Sequence, residues 1–359
     1  MCVVVGKDRA AENPIERIHK EALLVFCKRS VYLILPVALF FSRPGILVSQ
    51  VEGPVTIKNA SIRLTVNPSV GRVVDFGRID GPNLMRITDQ TVVTEAKPER
   101  NGYQGYGGDQ LWPAQQAQWG GVRGSGGGWP PLAELDGPNW TIVDKSASHI
   151  TIESPQTPLL GLVARRRFEI SANEPTVVIT NTFERVERPN EVAEIPVQIW
   201  SVTGITEPEF TLAEVSPDRA ENDRYVALSS NPSGIVKDLG DSNALRIDNR
   251  AHGPGESIRA AAMKAGMYGD WLAAVYPDDI FLQRSKYDRK GLFPDKAATE
   301  IYSSQTSGAE YVELEVLSSA KLLGVGDKLT NTVRWDLLKR PAGDDAELVR
   351  HIASVPEPT

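Results

Sequence analysis

Two glutamates near the C-terminus stand where they could act as acid–base groups. Glu313 and Glu315 lie two residues apart in the run YVELEVL, which has the alternation of a β-strand. Side chains two apart on a strand point to the same face, so the two carboxylates share a face and the apolar residues between them share the other. On a face that lines a cleft, such acids with shifted pKa values are candidate general bases. On a solvent-facing sheet they are ordinary surface carboxylates, and both interpretations remain open.

A second candidate site lies in the segment 101–140, which holds four of the seven tryptophans in a context rich in glycine and proline. Glycine and proline at this density disfavour a helix or a central strand, so a long loop is predicted. Flat aromatic rings beside amides and carboxylates suit the binding of sugars. Trp112, Trp129 and Gln115 are the candidate ligand contacts here, and Asp109, after a Gly-Gly pair, is a candidate catalytic group or the cap of a turn. The alternative is a packed loop whose tryptophans cover the core.

Two further pairs share a strand face. Gln198 and Trp200 place an amide beside an aromatic ring, either as ligand contacts or as part of the core. Arg165 and Arg167 alternate in the same way, and guanidinium groups suit the carboxylate or phosphate of a sugar. Arg167 is therefore a candidate substrate contact. The alternative is a solvated face on which both arginines pair with neighbouring acids.

Other chemistries find no support in the sequence. The four histidines are scattered without metal-ligand spacing, so no metal site is predicted. No serine-hydrolase elbow, phosphate-binding loop or dinucleotide fingerprint occurs, so no cofactor is predicted. Both cysteines, Cys2 and Cys27, precede residue 50, which leaves the remainder without a disulfide or a thiol nucleophile. The net charge of −7 and the absence of a basic face argue against a nucleic-acid partner.

The N-terminal segment has the pattern of an export signal. Lys28 and Arg29 precede an apolar run over 31–41. About 20 apolar residues are needed to span a bilayer, whereas a shorter run fits the core of a signal peptide. Cleavage near Ser49 is predicted, which gives a periplasmic or extracellular protein without stable membrane insertion. The alternative is a buried N-terminal helix interrupted by Pro36.

The elements that must position the candidate residues are mostly strands. From Val51 onward, short runs rich in Val, Ile, Thr and aromatic residues recur between clusters of Gly, Pro, Asn and Asp, many with period two. The best helix candidate spans 344–353. More than a dozen antiparallel strands predict one all-β domain over 51–340, a large sandwich or barrel. It follows the export segment, 1–50, and precedes a C-terminal tail, 341–359.

These motifs resemble the galactose mutarotase-like superfamily, which includes the aldose 1-epimerases. The resemblance covers most of 54–340 and rests on a GGD-x-LWPA-x-Q run at 107–116 and a YVELEVLS strand at 311–318. It implies a large antiparallel β-sandwich, the galactose mutarotase-like supersandwich, and a carbohydrate as the partner.

The resemblance also implies roles for particular residues. In aldose epimerases a late strand reading L-E-T carries the glutamate that removes the anomeric hydroxyl proton. Glu315, in Leu-Glu-Val, matches that position and is the implied base, with Glu313 in reserve. The two family histidines fall at Tyr106 and Val202, so the acid that mutarotation also requires is left to Tyr106 or Asp109.

The predicted function is therefore an exported carbohydrate-binding protein with aldose 1-epimerase-like catalysis by a glutamate in an aromatic-lined cleft. One alternative is a carbohydrate-recognition module without turnover. The other is an interaction domain whose aromatic loop docks onto a protein.

Overall fold

Antiparallel strands dominate the computed structural model, which describes residues 52–96, 104–115, 118, 132–137, 140–188, 195–220, 223–229, 235–248, 263–304 and 310–357. Within these ranges, nineteen strands form two sheets, and the predicted all-β architecture is confirmed. The predicted export segment and Trp129 lie outside the described residues.

The first sheet has nine described strands in the order β1-β2-β3-β4-β9-β18-β17-β14-β11. Their bounds are β1 Val55–Lys58, β2 Ile62–Asn67, β3 Arg72–Arg78, β4 Asp109–Trp112, β9 Trp200–Ile205, β11 Val226–Ala227, β14 Met263–Met267, β17 Thr299–Ser304 and β18 Tyr311–Leu317.

The second sheet has ten described strands in the order β12-β13-β10-β15-β16-β19-β8-β7-β6-β5. Their bounds are β5 Thr141–Lys145, β6 His149–Glu153, β7 Leu162–Ile170, β8 Thr176–Arg185, β10 Phe210–Glu214, β12 Val236–Asp238, β13 Ala244–Ile247, β15 Trp271–Val275, β16 Asp279–Arg284 and β19 Lys328–Lys339.

Apolar side chains fill the space between the two sheets. Phe76 of the first sheet packs against Phe281 and Trp335 of the second, with ring centroids 5.1 and 5.3 Å apart. Along β7, buried residues alternate with more accessible ones, as expected for a strand that covers a core with one face only. The strand β9 is buried at every position, so both of its faces are covered.

The two faces of the nine-stranded sheet are distinguished at β9. The hydroxyl of Thr203 accepts a hydrogen bond of 2.8 Å from Gln283 of β16, so Thr203 points toward the second sheet. Val202 and Gly204 point the other way, because side chains alternate along a strand. We call the face that carries Val202 and Gly204 the outer face.

Three α-helices occur in the described residues, α1 Thr91–Thr94, α2 Ala133–Asp136 and α3 Asp345–Ala353. The last confirms the helix predicted at 344–353, and the Asp344 carboxylate caps it by accepting from the Glu347 amide. Its buried residues Leu348, Val349 and Ile352 join an apolar cluster on the second sheet.

The predicted loop is wrong at Asp109–Trp112, which forms the internal strand β4 between β3 and β9. The glycines before it permit close strand approach rather than a flexible loop. Gly107 and Gly108 have φ of 78° and 74°, and a Cβ on them would lie 2.0 and 2.2 Å from backbone carbonyl oxygens. Glycine is required where these segments touch.

Candidate functional site

Four neighbouring strands bring candidate residues into one row on the outer face. Glu313 of β18 pairs with Gly204 of β9 on one side and with Tyr302 of β17 on the other. Tyr302 pairs in turn with Lys264 of β14. Directly paired residues of adjacent strands point to the same face, so all of them belong to the outer face.

The next row along the same strands contains a buried carboxyl pair. Glu300 of β17 lies opposite Glu315 of β18, and their side chains are 0% and 1% exposed. The Nζ atom of Lys264 lies 2.6 Å from Glu300 and 2.8 Å from Glu315. One ammonium group therefore pairs with two carboxyl groups. We call Lys264, Glu300 and Glu315 together the Lys264 cluster.

The pKa values of the cluster are coupled. Burial raises the pKa of Glu300 to about 7, with Lys264 opposing the rise and Glu315 adding to it. Burial likewise raises the pKa of Glu315, against the effect of Lys264. Burial disfavours the charged form of Lys264, but the two glutamates outweigh it and raise the pKa of the amine. Near neutral pH the carboxyl pair therefore holds a proton beside a charged lysine.

Other elements fix the Lys264 cluster in place. The Gln115 amide donates to Glu300 over 2.7 Å, and its carbonyl oxygen accepts from the Asp295 backbone over 3.0 Å. The Trp200 indole donates to Glu315 over 2.6 Å, and the Lys264 Nζ lies 4.7 Å from the Trp200 ring centroid. These contacts hold the cluster in a site that is otherwise removed from water.

The carboxylate of Glu313 is in a different state. It is partly exposed, and within the described residues it has no hydrogen bond or ion pair. Burial raises its pKa, while the positive charges of Lys264, Arg86 and Arg72 act in the opposite direction. A carboxyl group with a raised pKa and no bond to a described residue is a candidate general base.

Arg86 and two tyrosines border Glu313. The Arg86 amide donates to the Gly204 carbonyl over 3.0 Å, which puts Arg86 beside the Glu313 row. Its guanidinium lies 3.7 Å from the centroid of the Tyr311 ring, and Tyr311 contacts Tyr302 with centroids 5.9 Å apart. Among the residues that the structure describes, Arg86 has no ion pair, so its donors are available to a ligand.

Glycines lie between Arg86 and Glu313. Gly204 has no side chain to fill this position, and its amide donates to the Gly108 carbonyl over 2.9 Å. Gly107 and Gly108 lie just beyond it, each with a backbone that approaches its neighbours closely. Gly204 is itself buried, so this stretch of backbone packs closely between Arg86 and Glu313.

The structure contradicts a ligand-facing role for Asp109. Its carboxylate is fully buried in an ion pair with Arg166 of β7 and accepts from Ser201 and Thr203 over 3.0 and 2.9 Å. It thus points toward the second sheet, away from Glu315. The alternation of β4 explains the outcome, because it sends Gln110, not Asp109, to the outer face.

Arg167 is likewise removed from the outer face. It lies on the second sheet, where it is 37% exposed and pairs with Asp144 and Glu169. Arg165 pairs with Glu153. The alternative of a solvated charged face is therefore observed for both arginines. The arginine between them, Arg166, is the buried one.

The tryptophans described near the site belong to the core. Trp112 and Trp200 are each 3% exposed and pack edge to face, with centroids 5.0 Å apart. A stacking platform for a sugar is thus contradicted for both, and the alternative of tryptophans covering the core is observed. Gln198 is buried and donates to the Ser318 carbonyl over 2.8 Å. Tyr106 is 5% exposed in an apolar cluster beside α1.

Three residues of the site were not singled out in the sequence. Glu300 lies in the predicted strand TEIYSS, and a hairpin with the strand at 311–317 would have placed it opposite Glu315. Lys264 lies in β14, whose sequence MKAGM gives no clear strand pattern. Arg86 follows an irregular segment and forms no regular strand. Of the three, Glu300 alone had a usable signal.

Neither a metal-binding cluster nor a membrane-spanning helix occurs within the described residues. No group of three or more His, Cys, Asp and Glu side chains is arranged to hold a metal ion. No helix in the described ranges has the length and apolar character needed to cross a membrane.

Comparison with solved structures supports the fold. A galactose mutarotase-like protein from Lactobacillus casei ATCC 334 is 11% identical with a TM-score of 0.52, over 79% of this chain and 100% of that chain. A galactose mutarotase related enzyme from Lactobacillus acidophilus is 9% identical with a TM-score of 0.48, over 81% and 98% of the two chains. A galactose 1-epimerase from Lactobacillus acidophilus NCFM is 12% identical with a TM-score of 0.45, over 80% and 94%. The first similarity confirms the predicted galactose mutarotase-like sandwich.

Comparison by sequence gives a family. No curated protein matches the chain. A family model described as a domain of unknown function, DUF4380, matches residues 53–338. Because this match covers most of the chain, the protein belongs to the DUF4380 family, and it has the fold of the galactose mutarotase-like β-sandwiches.

Proposed function

We propose that the protein binds a carbohydrate on the outer face around Glu313 and accelerates the interconversion of its anomers. The observation that carries this proposal is the state of the Glu313 carboxyl group. It is partly exposed, it has no hydrogen bond or ion pair within the described residues, and burial raises its pKa. The similarity of the fold to a galactose mutarotase-like protein adds the substrate class.

The neighbours of Glu313 suit a sugar. The Arg86 guanidinium supplies N–H donors to hydroxyl groups, and Glu313 accepts from them. Tyr302 and Tyr311 supply aromatic surface for the C–H face of the ring.

Glu313, rather than Glu315, is proposed as the proton acceptor. Glu315 is 1% exposed and already bound by Lys264 and the Trp200 indole. A base must come within hydrogen-bond reach of the proton that it removes. Glu313 meets this condition without rearrangement of the buried cluster, and Glu315 then serves to hold Lys264.

Carbohydrate recognition without turnover is the second candidate. It is favoured by the residues at the two positions where the epimerases carry histidines. Val202 is apolar and Tyr106 is buried in an apolar cluster, so neither supplies an exposed acid beside Glu313.

Export is proposed to precede function. It rests on the sequence pattern of the N-terminal segment, with a basic lead-in before an apolar run. Fractionation of cells expressing the full chain tests it, with N-terminal sequencing of the recovered protein. Cleavage near Ser49 in the periplasmic or secreted fraction is expected, and an uncleaved chain in the cytosolic fraction would contradict the proposal.

The function is tested by proton NMR of the protein with a panel of free aldoses and uronic acids, recording saturation transfer and anomeric exchange together. Exchange is expected to be accelerated for at least one sugar and to fall by about 100-fold or more in Glu313→Gln, since a positioned base contributes a factor of that order. Arg167→Gln, on the other sheet, is the matched control and should behave as the wild type. Saturation transfer without accelerated exchange would favour the recognition module, and neither signal would reject both candidates.

A further inference from the structure

Opening a sugar ring at C1 requires an acid as well as a base. The base takes the proton of the O1 hydroxyl, and the ring oxygen must gain a proton as its bond to C1 breaks. Glu313 accounts for the first transfer under the proposed function, on which this inference rests. The second transfer needs a donor on the same face, within reach of the same ring.

Lys264 occupies such a position. It lies two strands from Glu313 in the same row of the outer face, with Tyr302 between them. Adjacent strands are about 4.8 Å apart, so the two backbones are roughly 10 Å apart. Both side chains are long and lie on the same face, with the side chain of Tyr302 on the strand between them. The positive charge of Lys264 lowers the pKa of Glu313 more than that of Arg86 or Arg72 does.

The two carboxyl groups do not use all the donors of the Lys264 amine. Its Nζ donates to Glu315 over 2.8 Å and forms an ion pair with Glu300 at 2.6 Å, and an ammonium group has three N–H donors. The side chain is 17% exposed, whereas the carboxyl groups are 0% and 1% exposed. Lys264 is therefore the member of the cluster that extends from the buried pair toward the open face.

We propose that Lys264 delivers the proton to the ring oxygen and that the carboxyl pair behind it returns a proton to the amine. The Glu313 carboxylate takes the O1 proton, the C1–O5 bond breaks as C1=O1 forms, and O5 takes a proton from the Lys264 ammonium. The amine then takes the proton held by Glu300 and Glu315. After rotation about C1–C2, ring closure reverses each transfer, and no proton is gained or lost overall.

The basicities of the groups fit this sequence. The two glutamates raise the pKa of Lys264, so it gives up a proton only to a strongly basic acceptor. An oxygen leaving carbon as an alkoxide is such an acceptor, and the pair with Glu300, whose pKa is about 7, holds a proton to replace the one given. The other groups facing the cluster are Glu313 from the same sheet, Asp295 before β17, and the neutral Gln115 and Trp200.

Lys264→Arg is the decisive variant. Arginine keeps the charge needed by the two buried carboxyl groups, but its guanidinium does not release a proton. Anomeric exchange is expected to fall by about 100-fold or more while saturation transfer from the sugar persists. Arg167→Gln serves as the control that leaves both signals unchanged. The assignment would be overturned if Lys264→Arg exchanged anomers at the wild-type rate. It would also be overturned if exchange were lost in Tyr302→Phe but not in Lys264→Arg. Either result would leave the proposed function standing.

A second variant reports on the proton source. In the wild type, exchange is expected to slow as the pH rises through about 7, where the carboxyl pair loses its proton. Glu300→Gln removes that proton. Exchange in this variant should therefore be slower than in the wild type at low pH, and it should not slow further as the pH rises through about 7. An unchanged pH profile in Glu300→Gln would overturn the role of the pair. A wild type that binds sugar without exchange would overturn the proposed catalysis and this assignment together.

Discussion

The carboxyl group of Glu300 has a pKa that burial raises to about 7. It is fully buried against a second carboxyl group, with Lys264 as the shared partner. Replacing water by protein disfavours a second negative charge here, so the folded state holds a proton that the unfolded chain would release. The same arrangement that suits proton transfer therefore makes folding sensitive to pH.

Glu300→Gln is expected to remove that sensitivity. The pKa rises from 4.5 to about 7 on folding, so the stabilising effect of protonation is fully present below about 4.5 and is lost as the pH rises to about 7. Between these pH values the free energy of unfolding of the wild type should fall by about 3 kcal/mol more than that of the variant. Urea unfolding at several pH values measures the difference. Parallel curves for wild type and variant would contradict it, and the exposed Glu169→Gln should give no change.

At the scale of elements, the strand β4 joins the two sheets. Asp109 points inward to Arg166, whereas Gln110, the next residue, points to the outer face and accepts from Arg72. The ion pair is fully buried, and its carboxylate also accepts from Ser201 and Thr203. Loss of either partner would leave a charge without compensation in the core.

Asp109→Asn and Arg166→Met should each lower the free energy of unfolding by about 3–5 kcal/mol. The double variant should lose less than the sum of the two, because it leaves no unpaired charge. Urea unfolding of the wild type, the two single variants and the double variant measures the coupling. Additive effects would show that the two groups do not stabilise the sandwich as a pair.

The elements also show how far the sequence leads. Strands such as TEIYSS and YVELEVL were predictable, since alternation and β-branched residues coincide there. β4 was missed because glycines that allow close packing have the same sequence signature as a loop. Lys264 was missed because MKAGM gives no strand signal without its partners. The site depends on which strands pair, and pairing across distant segments is not encoded in any one of them.

At the scale of the whole molecule, the two sheets carry different tasks. The outer face of the first sheet carries the candidate site, whereas α3 covers part of the second sheet. Leu348, Val349 and Ile352 of α3 pack there with Phe210 and residues of β15. The Arg284 guanidinium donates to the Ile352 carbonyl over 2.7 Å and ties the end of the helix to β16. Stability can therefore be changed without contact with the site.

Ile352→Ala should lower the free energy of unfolding by about 2–4 kcal/mol, because it removes a fully buried side chain. Saturation transfer from a bound sugar should be unchanged at temperatures where the variant is folded. Thermal unfolding and NMR on the same sample test both statements. Weakened sugar binding in the folded variant would show that the two sheets are coupled.

The alternation along β4 has a consequence for how the family can diversify. Adjacent residues of one short strand belong to the seam between the sheets and to the outer face. A substitution in β4 that changes the outer face is at most one residue from the contact between the two sheets. An insertion in β4 would make the side chains after it point to the opposite faces. New specificities are therefore expected to arise first in the connections around the outer face. The strand β4, which both faces share, is expected to change more slowly.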